Sequence, residues 1–399
     1  MSKANLIEVM TLVNLPASCL NRDEAQMPKE CHFGGYDRAR VSSQAQKFAI
    51  RQSDSFKALC NEVSGSIRTA HIHEYIIPRL NSVPAGFEDA IIALCDTLGK
   101  KEVKGKVVWD ENSDTYDFSK IDKKSPSYGK RSTQIMIYSN SQIDFLVETI
   151  QRFIDEVDGD IVKFAALTNF NVFERMKGRK IDPITLDTAL FGSMTASVFS
   201  TSVPASMHVA QMFSTDALVR EDDFYIASDD FVIANPDKAQ GAANMGSVAY
   251  NCPCMYRYAC IDLDILRENL RNVENRDEVI ANIVPELIRT FVMTLPKGKQ
   301  ATNAAYMLPD MVCVNLKEKK IATNFANAFA NPVVANNTNG IVERSIEAFV
   351  TEVNQIDKFY DADVIERFYM NCRETGVAPN ICTSVENIKD IVKGVKAHL

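Results

Sequence analysis

Apolar positions follow two rhythms along this chain. Residues 5–15 (NLIEVMTLVNL) are apolar almost without a break over strand length, which predicts a central strand buried on both faces. Residues 43–60 change to helical spacing. Ala45, Phe48, Phe56 and Leu59 supply an apolar stripe, while Lys47 and Arg51, four apart, share another face. Ser43-Gln44-Ala45-Gln46 fits a capping box at the start of that helix. Residues 61–180 are dominated by helical patterns, chiefly 87–98 and 143–157, where Ile143, Leu146, Ile150, Phe153, Ile154 and Val157 are in register. Between them, 122–131 (DKKSPSYGKR) reads as a loop.

Strand patterns return after Asp182. Candidates are 185–194 (TLDTALFGSM), 205–215 (ASMHVAQMFST), a stretch around FYIA, and 250–263, with aromatics at 250, 256 and 258. Residues 277–294 look helical, with Val279, Ile283, Leu287, Ile288 and Phe291 on one side, and end in the basic loop PKGKQ at 296–300. Residues 304–316 resume strand character, and the last 60 or so residues look helical. The order predicts an α+β fold: a ferredoxin-like or RNA-recognition-type core interrupted by excursions. No RNP-type aromatic motif stands on the presumed third strand, so base stacking on the sheet face is not implied.

Composition narrows the class. At 399 residues, 46% hydrophobic and 24% charged, the chain suits two to three domain equivalents of an ordinary globular protein. No run is apolar enough to span a membrane, and the N-terminus reads as a strand, so a cytoplasmic setting is expected. The ten cysteines form no CxxC pair and read as reduced and structural. Cys252 and Cys254 would share a face if extended, giving half a zinc site at best; His71 and His73 form a lone HxH. With no P-loop, GxGxxG, nucleophile elbow or HExxH, neither a metal nor a cofactor is expected. Against a formal net charge of -8, the stretch from Arg38 to Arg51 carries four basic residues and no acidic one. That contrast points to phosphate binding at one chosen place.

The blocks SCLNRD (18–23), FGG (33–35), VSSQAQKFAIR (41–51), FGSM (191–194), GAANMGSVAYNCPCMYRYA (241–259) and PKGKQAT (296–302) resemble the CasC family. That family provides the CRISPR-RNA-binding backbone of the type I-E Cascade complex. The resemblance implies a hand: palm segments at 1–59, 182–204 (a strand) and 246–345, helical fingers at 60–181, a β-hairpin thumb at 205–245, and a C-terminal helical segment of the palm at 346–399. It also implies copies stacked head to tail along one guide RNA, which each thumb kinks. The guide would pair with a target DNA strand, and CasA, CasB, CasD and CasE would be further partners.

Carried over by position, the resemblance implies guide-backbone contacts at Arg22, Lys29, Arg40, Ser42, Gln44, Lys47, Arg51 and Lys299. Met194 would pack beside the displaced base, and Phe224 and Tyr225 would form the thumb wedge. Tyr36 stands where some relatives carry a basic residue, leaving Arg38 or Arg40 to replace that contact. Glu221, Asp222, Asp223, Asp229 and Asp230 around the wedge would repel RNA and suit solvent or a neighbouring subunit. Arg175, Lys177, Arg179 and Lys180 (RMKGRK) suggest a contact with target DNA or a neighbour; the alternative is a solvated loop. The favoured reading is non-catalytic. The competing readings are target-RNA cleavage through Asp23, as in relatives from other CRISPR effector types, and a metabolic enzyme with an anion-binding helix.

Overall fold

The computed structural model describes residues 3–98, 109–110, 115–116, 135–179, 181, 184–194, 202–227, 229–234, 244–360, 363–373 and 375–399. Strand Leu6–Asn14 is buried along nearly its whole length. It pairs antiparallel with Cys254–Asp262 on one side and Met311–Lys317 on the other. Beyond Met311–Lys317 come Val364–Asn371 and Thr383–Ser384; beyond Cys254–Asp262 come Met212–Ser214, Tyr36–Val41 and Glu30–Phe33. With Met207–Val209, which pairs alongside Cys254–Asp262, these make a nine-stranded sheet among the described residues.

Alternation decides the two faces. Leu6, Met10 and Leu12 join Tyr256, Phe329, Ile346, Phe349 and Val353 in one core, under helix Ile341–Tyr360. Arg257 alternates to the opposite face, beneath Phe291 of helix Arg276–Met293. Each fully buried Leu, Val or Phe contributes about 1.5–3 kcal/mol, so this two-faced burial fixes the strand order.

By contact the chain divides into two units: residues 1–59, 207–264 and 277–399, and residues 60–206 with 265–276. The first holds the sheet. The second has its own core, built from Phe87–Leu98, Asn140–Val157 and the shorter helices around them. No helix among the described residues is long and apolar enough to cross a membrane.

Several local expectations are corrected. Residues 185–194 are not a strand: Leu186–Phe191 is a helix, capped by the Thr185 hydroxyl and ended by Gly192 at φ 77. Its short apolar run fits either period, and the Thr185–Thr188 capping box tips it to helix. Residues 205–215 split into the sheet strands Met207–Val209 and Met212–Ser214. The C-terminal region is not uniformly helical, because Val364–Asn371 adds to the sheet beside Met311–Lys317. Ser53 turns extended and breaks 43–60 into Ser43–Gln52 and Asp54–Cys60. The polar stretch 122–131 lies outside the described residues.

Candidate nucleic-acid interface

The loop from Ser18 to Lys29 organises the site. Ser18 and Asn251 exchange backbone hydrogen bonds, 2.9 and 3.1 Å, which hold one end. Asn21 Oδ1 accepts from the Ser42 amide at 2.9 Å, and the Asn21 carbonyl accepts from the Lys29 amide at 2.9 Å. Gly298 of the PKGKQ loop presses onto the same segment. A Cβ there would stand 2.3 Å from the Leu20 carbonyl oxygen, so only glycine permits the approach. Burial pushes the Cys19 thiol pKa up, while Lys299 and then Arg22 pull it down. Lys299 follows Gly298 directly, so the same close approach brings it to this turn.

Arg22, Lys29 and Arg40 line one open groove of about 810 Å³, together with Asp23, Glu24, Glu30 and Arg220. Arg40 is braced by the Glu30 carbonyl at 2.9 Å and by Gln211 Oε1 at 2.9 Å; Arg22 is exposed and meets Gln26 Oε1 at 2.6 Å. Arg220 was not singled out from the sequence. It reaches the groove only because the fold pairs it with Glu30, 190 positions away, whose hydrogen bond and charge raise its pKa. Its local sequence, VREDD, signals acidity rather than a cationic wall.

Helix Ser43–Gln52 rises beside this loop. Its N-cap is Ser42, one residue earlier than expected, and the Ser42 hydroxyl accepts from the Ala45 amide at 3.2 Å. Gln46 does not close a capping box. It is buried, donating to the Ala210 carbonyl at 2.9 Å and accepting from Arg257 Nε at 3.3 Å. The buried face is Gln46, Ala49 and Ile50, whereas Phe48 is exposed, so the expected stripe is rotated. Gln44 is exposed, and Lys47 and Arg51 are half-buried on the same helix.

Arg38 cannot stand in for the contact missing at Tyr36. It has no exposed surface, and its guanidinium donates to the carbonyls of Ser214, Thr215, Phe329 and Ala330 at 2.8–3.1 Å. Arg40 remains available in the groove. The Asp23 carboxylate accepts from the Met27 amide at 2.9 Å and shapes the loop. Among the described residues no group of three or more His, Cys, Asp or Glu is placed to hold a metal. Cys252 is exposed and Cys254 buried, so the two thiols do not share a face.

Phe224 and Tyr225 lie on Glu221–Ala227, which among the described residues pairs only with Asn244–Tyr250, in a separate two-stranded ribbon. Both are exposed. The Tyr225 ring lies across its register partner Gly246, where a Cβ would come within 2.7 Å of the hydroxyl oxygen. Met194, in the second unit, is 94% exposed. The described cations of RMKGRK each face a carboxylate of their own unit: Arg175 with Glu156 at 2.6 Å, Lys177 with Glu174 at 2.6 Å, Arg179 with Glu148 at 2.8 Å. Arg175 and Arg179 also lie over the rings of Phe153 and Phe145. Lys180 is outside the described residues.

A palm-like α+β sheet with a cation-lined groove along one loop defines the class. The chain belongs to the CT1975-like protein family of CRISPR-associated proteins, whose model matches residues 7–394. This is the CasC-like family that the sequence blocks resemble. The fold is that of a chain in a structure described as "CRISPR RNA-guided surveillance complex, pre-nicking", with TM-score 0.76 and 24% identity over 99% of this chain and 100% of that one. A second chain, from a "CRISPR RNA-guided surveillance complex", superposes with TM-score 0.67 and 20% identity over 99% and 100%. No curated protein sequence matches the chain.

Proposed function

We propose that this protein is a non-catalytic scaffold that binds a CRISPR guide RNA and forms the backbone of an RNA-guided surveillance complex. The observation that carries the reading is the convergence of Arg22, Lys29 and Arg40 in one groove, with the PKGKQ loop that carries Lys299 pressed onto the same segment at Gly298. Cations that meet phosphates are blind to sequence, as a holder of arbitrary guides must be. Family membership and the shared fold supply the context. Ser42, Gln44, Lys47 and Arg51 extend the phosphate track along the capped helix. Phe224 and Tyr225 act as the thumb wedge, because aromatic faces accept any base.

The finer assignments belong to the same proposal. The assembly is of the type I-E Cascade kind, cytoplasmic, with CasA, CasB, CasD and CasE as companions and further copies of this chain head to tail. Residues 60–181 are its fingers; of the expected thumb at 205–245, Met207–Val209 and Met212–Ser214 belong to the sheet, and the thumb is the ribbon of Glu221–Ala227 and Asn244–Tyr250. Pairing of the guide with target DNA follows from that reading. A direct DNA contact by Arg175, Lys177 and Arg179 gains no support, since each is already matched by an acid. The test is expression with the neighbouring CRISPR proteins and a guide array, then sequencing of co-purified RNA. Repeat-bounded guides of uniform length are expected; an RNA-free monomer would overturn the reading.

A further inference from the structure

Arg257 has a partner set that core stability does not explain. It lies within strand Cys254–Asp262 and has no exposed surface. Its Nε donates to Gln46 Oε1 at 3.3 Å, and its guanidinium carbon sits 4.2 Å from the centre of the Phe291 ring. Nη1 and Nη2 meet no hydrogen-bond acceptor. Thr11, directly opposite in the strand register, also has an unpartnered hydroxyl. Burial pushes the Arg257 pKa down to about 9, and no acid counters that shift.

Contrast the other buried cations of the same sheet. Lys317 is matched by Glu8 at 3.0 Å and Arg367 by Asp357 at 2.5 Å. Arg38 has no acid within ion-pair reach, but its terminal nitrogens are saturated by backbone carbonyls. Arg38 Nε lacks a partner too, but Arg257 alone of these four leaves both terminal nitrogens with neither a carboxylate nor any other acceptor. An apolar side chain of similar volume would serve the core as well or better. The charge therefore needs a purpose outside the core.

Its one polar partner indicates that purpose. Gln46 lies in helix Ser43–Gln52, and its amide group also donates to the Ala210 carbonyl. The guanidinium is thus one side chain behind the helix that carries Gln44 and Lys47. We propose that Arg257 is a positioning residue for the phosphate site: without touching RNA, it anchors Gln46 and lends an uncompensated positive charge to the anion held at the helix entrance. The inference rests on the RNA-binding reading. Inside the protein its field is weakly screened, unlike that of a surface lysine.

The test uses the full chain and a single-stranded RNA of mixed sequence. Affinity is measured across a salt series, and thermal stability alongside it. Arg257→Met is expected to weaken binding by about tenfold, the scale of one unscreened charge at moderate range. The salt slope should stay at the wild-type value, because no phosphate counterion is exchanged at Arg257. Melting temperature should hold or rise. Lys47→Ala serves as the contrast and should lower the slope by about 1. Arg257→Lys, which keeps the charge, should return affinity to within about threefold of wild type. Unchanged affinity in Arg257→Met, failure of that variant to fold, or no recovery with lysine would each overturn the proposal. Wild-type protein that binds no RNA would instead overturn the scaffold reading itself.

Discussion

Glu8 interrupts an otherwise apolar strand, and its surroundings explain how the strand tolerates it. Its carboxylate receives Lys317 Nζ at 3.0 Å, the Tyr258 hydroxyl at 3.0 Å and the Asn315 amide at 3.1 Å, with the Thr323 backbone amide completing the set. Lys317 in turn donates to the Ile321 carbonyl and the Thr323 hydroxyl. Removing one member leaves a buried charge alone. Lys317→Met should lower unfolding free energy by about 3–5 kcal/mol, read from urea denaturation. A loss below about 1 kcal/mol would show that water reaches Glu8. The sequence displays Glu8 and Lys317 but not their pairing across two strands. Arg38 and Arg40 make the same point. Two apart on one strand, they share a face, yet Arg38 is enclosed by backbone carbonyls and Arg40 borders an open groove. Local pattern is identical for both; the segment that closes over Arg38 comes from residues 329–330.

At the scale of elements, the hairpin of Glu221–Ala227 and Asn244–Tyr250 stands out, because every residue of its first strand is exposed. An isolated two-stranded ribbon is marginal in water, which suits a wedge that gains its full order on the guide. Alanine at both Phe224 and Tyr225 should leave phosphate contacts intact and blur the kink, increasing backbone reactivity of the bound guide between kinks. An unaltered chemical-probing pattern would remove this pair from the wedge. Element limits were legible where the rhythm was long: 5–15, 87–98, 143–157 and 277–294 all correspond to observed elements. They failed where the run was short. Residues 185–194 carry apolar positions that suit either period, and a threonine cap decided for helix. The helix at 43 kept its place but turned its faces, because Gln46 found buried partners at Ala210 and Arg257 that its own neighbours do not reveal.

For the whole molecule, the proposed head-to-tail stacking is a heterologous contact, which yields an open filament whose length the RNA sets. Particle mass, measured on complexes assembled with guides of increasing length, should rise in steps of one subunit. A mass independent of guide length would point to a closed assembly instead. The acidic total of -8 makes such stacking depend on local complementarity, so the steps should sharpen at low salt.

The sequence by itself determined the α+β class, the central strand, the helical second unit and the family, because these rest on periodicity and on contiguous blocks that local physics can express. Only the tertiary structure decided which cations share a groove. Arg22, Lys29 and Arg40 meet Arg220, and Lys299 joins their loop, through a glycine contact and strand pairings that join distant parts of the chain. Long-range electrostatics and backbone close approach depend on distance in space, and spacing along the chain carries no record of it.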